Sequence, residues 1–192
     1  MVALVEHIEH GPVAVHCTYL RLGDSAKANV EKAKAIFGPV AGGSVRFSAP
    51  QAGQWLAVAE GIETALSVAV SCSMPVWAAL SAGGIKNLRL PREATHIVIC
   101  ADHDANGVGE RATHDAAERW LAENRRVRIA MPPEPDTDFN DLLNADATRC
   151  ACPLRQCAHS SKPVGSSRTS HSRTMMKSSA CEIINFTVPA RT

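Results

Sequence analysis

Three carboxylates in this chain carry the types and spacing for chemistry at a phosphate. Asp102 and Asp104 stand one residue apart in ICADHDANGVGERAT, residues 99–113, behind an apolar run and ahead of an Asn-Gly turn. In an extended segment residues i and i+2 point to one side, so the two carboxylates converge while His103 points away. Aspartates at a strand-to-helix junction also serve as ordinary caps, accepting backbone N–H bonds. A calcium loop fits Asp102, Asp104, Asn106 and Gly107 at its first, third, fifth and sixth positions, but Thr113 stands at the twelfth, where a bidentate Glu is needed. An aspartyl-nucleophile phosphatase also places two aspartates after a strand, yet it calls for Thr or Val where Asn106 stands. Upstream, WLAVAEGIETAL puts Glu60 at the end of another apolar run, with Gly61 turning the chain into a helix. Like charges about 4 Å apart repel by roughly 4 kcal/mol at an effective dielectric near 20, so such a cluster calls for a cation or shifted pKa values. An oxygen-only ligand set suits Mg²⁺ or Mn²⁺, which complete their shells with water and substrate phosphates.

The elements that must position these residues follow from hydrophobic period. WLAVAE, PVWAAL, HIVICAD and RVRIAMP read as strands, and IETALSVAVSC as a helix. GVGERATHDAAERWLAEN reads as an amphipathic helix with Ala112, Ala116, Ala117, Trp120 and Leu121 on one face. Near-continuous apolar strands alternating with helices imply an α/β fold, a parallel sheet flanked by helices on both faces. Ligands bind such sheets at the carboxyl ends of the strands, where Glu60, Asp102 and Asp104 fall. Ahead of this core, VAVHCTYLRL and the turn GDS read as strand and hairpin, ANVEKAKAIFG as a short helix, and VRF at 45–47 as a further strand. The expected organisation is a small N-terminal α+β lobe over 1–53, the α/β domain over 54–146 and a disordered tail over 147–192.

The tail, dense in Ser, Thr, Arg and Cys, has no sustained hydrophobic period. Its break in composition fits a shifted reading frame or a truncated gene. Cys150, Cys152, Cys157 and His159 resemble half of a zinc site but lack a second knuckle. With 20 basic and 19 acidic side chains in 192 residues, the formal charge of +1 supplies no global field toward nucleic acid or an anionic membrane. Any DNA contact is local, and with aromatics at 4% the stacking platforms are few, leaving basic residues such as Arg125, Arg126 and Arg128. Seven cysteines, an odd number, do not form a secreted disulfide framework, and the N-terminal stretch lacks the basic residues of a secretory signal. The uncharged run from Thr64 to Ile85 is interrupted by four serines, Pro75 and Gly83-Gly84, which argues against a membrane span. A reducing cytoplasm is the expected location.

In this order and spacing, EGIETAL, ICADHDANGVGERA and DTDFNDLL resemble the motifs of the Toprim domain, shared by bacterial-type primases, type IA and type II topoisomerases and certain nucleases. The resemblance covers about Trp55 to Leu143 and is nearest to phage- and plasmid-type primases and primase-helicases; the hairpin lobe before it is similar to the segment that precedes Toprim there. It implies that Glu60 is the family's glutamate, acting in acid/base chemistry or completing the metal shell, and that Asp102 and Asp104 are the Mg²⁺-binding pair. Glu63, one turn into its helix, either reaches the site or favours the helix N-terminus. Asp138 and Asp141 match a third acidic motif, although Asp138 suits an N-cap equally. Lys86, after Gly83-Gly84 at the rim, is either a phosphate ligand or a solvated lysine.

Three departures bear on activity. No paired cysteines of a template-binding zinc ribbon precede Glu60, no phosphate loop of a helicase is present, and the one tyrosine, Tyr19, lies in the N-terminal lobe, which argues against strand passage. The resemblance implies a DNA replication protein, a primase-type nucleotidyltransferase that makes RNA primers on single-stranded DNA from nucleoside triphosphates. A helicase or zinc-ribbon module would stand on another chain or in a missing part of the gene. The alternatives are a Toprim-type metal-dependent nuclease and a non-catalytic primase remnant.

Overall fold

A computed structural model describes residues 1–24, 26–103, 108–145, 173–178 and 181–186. Its main sheet is built from β4 (Val45–Arg46), β5 (Trp55–Ala59), β6 (Val76–Ala78), β7 (His96–Cys100), β8 (Arg126–Met131), β9 (Arg173–Ser178) and β10 (Cys181–Phe186), in the order β4-β6-β5-β7-β8-β10-β9. The four central strands are parallel, and the two edges are antiparallel additions. Helices α1 (Ile62–Cys72), α2 (Ala82–Asn87), α3 (Val108–Ala122) and α4 (Phe139–Ala145) connect and cover the sheet.

Side chains alternate between two cores with the period of a strand. Ala57 and Ala59, Val76 and Ala78, Val98 and Cys100, and Ala130 face a layer made by Ile62, Ala65 and Val68 of α1, Phe139 of α4, and Val5 and Ala14 of the N-terminal lobe. Leu56 and Val58, Trp77, Ile97 and Ile99, and Val127 and Ile129 face the opposite layer, where Ile85 of α2 packs with Ala116, Ala117, Trp120 and Leu121 of α3. Small residues on the first face let α1 sit close over the strands that carry the candidate site. The expected flanked parallel sheet is thus the observed one. Within it α1 spans the residues read as a helix, and four of the five residues named on the apolar face of α3 are buried, Ala112 being half-buried.

The N-terminal lobe is a three-stranded antiparallel sheet of β1 (Val2–His7), β2 (Gly11–Thr18) and β3 (Lys34–Phe37). The helix expected over residues 28–38 is absent. A segment that short is marginal as an isolated helix, and Lys34–Phe37 pairs with Val15–Thr18 instead. Residues 45–46 pair with β6 at the edge of the main sheet, and reciprocal bonds between Glu6 and Ser44 join the two sheets there. Two segments of the tail read as disordered, Arg173–Ser178 and Cys181–Phe186, are strands; the second pairs antiparallel with β8, extending an edge whose backbone groups would otherwise be unpaired. The cysteine and histidine cluster at 150–159 lies outside the described residues. Cys72 is disulfide-bonded, and Cys17 and Cys100 are free thiols. Among the described residues no helix is long and apolar enough to cross a membrane.

Candidate functional site

The parallel strands set the site. From β5 the chain passes through α1 to β6 on one side, and from β7 it passes through α3 to β8 on the other. The two connections diverge, and in open α/β sheets such a switch point at the carboxyl ends of the strands, here β5 and β7, is where ligands bind. Ala59 pairs in register with Cys100, so Glu60 and Asp102 leave the sheet at adjacent strand ends, both half-buried. The backbone of Glu60 is fixed because its carbonyl accepts the amide of Leu80 at 2.8 Å. Leu80 holds a left-handed backbone (φ 73°) to make that bond, a conformation costing about 1 kcal/mol for a residue with a side chain.

Thr64, fully buried in the first turn of α1, donates its hydroxyl to Asp102 Oδ1 at 3.4 Å. The sequence reading missed this residue, although its place four after Glu60 returns it to the same rim. His103 turns aside, its Nδ1 2.9 Å from the Pro132 carbonyl. Its main chain bonds Thr137 and Asp136, so the loop before α4 is clasped to the strand end carrying Asp102. Asp104 lies outside the described residues, as do Asn106 and Gly107.

The accessory residues find other partners. Glu63 forms ion pairs with Lys27 Nζ (3.0 Å) and Lys34 Nζ (3.1 Å), both from the N-terminal lobe. Burial pushes its carboxyl up, but a hydrogen bond with its own backbone and the two ammonium groups outweigh that and hold it at about 2. The bond to Glu63 in turn raises Lys27. Asp138 is the N-cap of α4, its Oδ1 accepting the amides of Asn140 (2.7 Å) and Asp141 (2.9 Å), while Asp141 Oδ2 accepts the Asp138 amide (3.1 Å). That reciprocal pair has the logic of a capping box. Lys86 pairs with Asp115 of α3 at 2.8 Å on the exposed surface.

Two of the arginines considered for a template grip are committed elsewhere. Arg125 donates to the carbonyls of Leu90, Pro91 and Ala94, and Arg128 stacks over Trp55 at 4.3 Å. Arg126 begins β8 opposite His96, at the amino end of the sheet, about 16 Å from the carboxylate rim at 3.3 Å per residue.

The donors that the described residues bring to the rim are Glu60, Asp102 and the Thr64 hydroxyl, all oxygens. That set fits Mg²⁺ or Mn²⁺ and not a soft metal. Among the described residues, His7, Glu9 and His10 of the N-terminal lobe each place one ligand atom within 4.8 Å of the others.

Residues 55–148 match a family described as the Toprim domain, and residues 1–47 match a domain of unknown function, DUF7146. Among solved structures the chain is similar to a DNA primase domain from Pseudomonas aeruginosa, at 20% identity over 76% of this chain and 48% of that one, with a TM-score of 0.46. It is also similar to the DnaG catalytic core, at 16% identity over 74% of this chain and 47% of that one, with a TM-score of 0.51. The second likeness is one of fold, and the chain spans about half the length of either structure. No curated protein matches the sequence. The strands and loops that build the carboxylate rim are the ones the family match covers, and residues 55–148 are a Toprim domain.

Proposed function

We propose that the chain is a primase-type nucleotidyltransferase of DNA replication, dependent on Mg²⁺ or Mn²⁺, that extends RNA primers on single-stranded DNA. The observation that carries this reading is that Glu60 and Asp102 follow the registered pair Ala59 and Cys100 at the carboxyl ends of β5 and β7, inside the stretch that matches Toprim. Asp102, oriented by the Thr64 hydroxyl, and Asp104 would hold the divalent ion, with Glu60 completing the shell or taking the proton of the attacking 3′-hydroxyl. Such an ion, when bound, offsets the charge that develops on the phosphates as pyrophosphate leaves. Glu60 is suited to proton transfer because its main chain is fixed while its side chain stays half-exposed. The fold likeness to the DnaG catalytic core supports the reading. Template-binding and helicase functions belong, on this proposal, to partners or to further sequence, and the setting is cytoplasmic.

The test is incorporation of labelled ribonucleotides on single-stranded DNA with Mg²⁺ or Mn²⁺, comparing the parent with Asp102→Asn, Asp104→Asn and Glu60→Gln. Metal-dependent primers are expected from the parent, with a loss of at least about 100-fold in each variant. A folded parent that makes no primers refutes the proposal for this chain alone, and cutting of the template instead assigns the carboxylates to a nuclease.

A further inference from the structure

We propose that His7, Glu9 and His10, at the turn between β1 and β2, form a second metal site, chemically distinct from the carboxylate rim and selective for Zn²⁺. One ligand atom from each residue lies within 4.8 Å of the others. Two imidazoles and a carboxylate are a nitrogen-rich set of the kind that Zn²⁺ takes in three-ligand sites, with water in the fourth position. Mg²⁺, which prefers an all-oxygen shell, is poorly served by it.

The turn holds these groups before any ion arrives. His7 ends β1 opposite Gly11 at the start of β2, so the three residues between them close over the strand ends. The His7 ring lies over Gly42, where only the missing side chain leaves it room: a Cβ added there would lie 2.9 Å from His7 Nε2. Its other nitrogen faces into the turn, where Nδ1 accepts the Glu9 amide at 3.1 Å. That lone pair is the one a metal would take, with the amide passing to water. The His10 ring lies nearly parallel to it, 4.6 Å away and inclined by 16°. Ligands on a tetrahedral Zn²⁺ at 2.0–2.1 Å are about 3.4 Å apart. Closure therefore requires an inward movement of about 1 Å by the two exposed side chains, Glu9 and His10, while the half-buried His7 stays in place. Pre-orientation of one ligand lowers the ordering cost of binding.

Binding there would tie the β1–β2 turn to itself beside the loop that leads into Ser44 and β4, the junction of the two sheets. It would also give a chemical role to a segment inside the stretch that matches a domain of unknown function.

The test is Zn²⁺ binding by the full chain near neutral pH, read by competition with a chromophoric chelator. The background is a Cys150→Ser, Cys152→Ser, Cys157→Ser variant, with excess Mg²⁺ to occupy the carboxylate rim. One equivalent of Zn²⁺ is expected. In the same background, exposed His10→Ala should bind about tenfold or more weakly, and Zn²⁺ should raise the melting temperature of the parent but not of this variant. A background chain that binds no Zn²⁺ overturns the proposal. So does an affinity that His10→Ala leaves unchanged.

Discussion

Glu63 shares the first turn of α1 with Thr64, yet its carboxylate turns to Lys27 and Lys34 while Thr64 turns to Asp102. One turn of helix thus divides its work between holding the lobes together and orienting the rim. Because Glu63 titrates near 2 in the folded chain, against an ordinary 4.5, its stabilisation is complete above pH 4.5 and is lost as pH falls toward 2. Glu63→Gln should therefore lower the denaturation midpoint at neutral pH and flatten its dependence on acid, which urea titrations at a series of pH values would read. Asp138 offers a sharper contrast. Asp138→Ala should cost about 1 kcal/mol through loss of the α4 cap, and Asp138→Asn almost nothing, since both Asp and Asn cap well. The cap was legible in the sequence as Asp138 directly ahead of Phe139, where α4 begins. The fate of Glu63 was not, because its partners stand 29 and 36 residues away and only the folding of the lobe onto α1 brings them near. For Lys86 the partner is also remote, on α3, and the pair is exposed enough to contribute little.

Helix α2 is short and is N-capped by Ser81, whose hydroxyl accepts the Gly84 amide. Gly84 is required by contact and not by backbone angle: an added Cβ would lie 1.9 Å from the Ala79 carbonyl oxygen. Gly84→Ala must push α2 off the end of β6, with an expected cost of about 1–3 kcal/mol, measurable by thermal or chemical denaturation. The pair Gly83-Gly84 signalled a special backbone in the sequence but not which neighbour demanded it. Trp120→Ala, in the centre of the α3 layer where the ring is fully buried, should cost about 3–5 kcal/mol. The central strands were legible because burial on two faces leaves near-continuous apolar runs, and both long helices because their apolar residues recur at helical spacing. β3 was not, since KAIF is mostly exposed and gains its order from pairing with β2. The tail strands depend likewise on the edge that β8 offers.

At the scale of the molecule, two sheets meet over α1. His16, buried on the inner side of the N-terminal sheet, is lowered first by burial and then by Lys34. His96 at the opposite end of the main sheet is lowered by burial and by Arg126 and Arg128. A histidine whose folded pKa is depressed charges more readily when unfolded, so stability falls as pH drops below about 6.5. Melting temperatures should decline first in that range and again below pH 4.5 as Glu63 protonates. His16→Gln should weaken the first decline and leave the second. The divergence of the chain on either side of β5 and β7 puts Glu60 and Asp102 at adjacent strand ends, and the central claim is that this rim holds a divalent ion. The measurement that tests it most directly is Mn²⁺ binding by electron paramagnetic resonance in the parent, Glu60→Gln and Asp102→Asn, with Mg²⁺ as competitor. The account predicts binding that Mg²⁺ displaces and that each substitution weakens by about tenfold or more. Binding unchanged in both folded variants would contradict it.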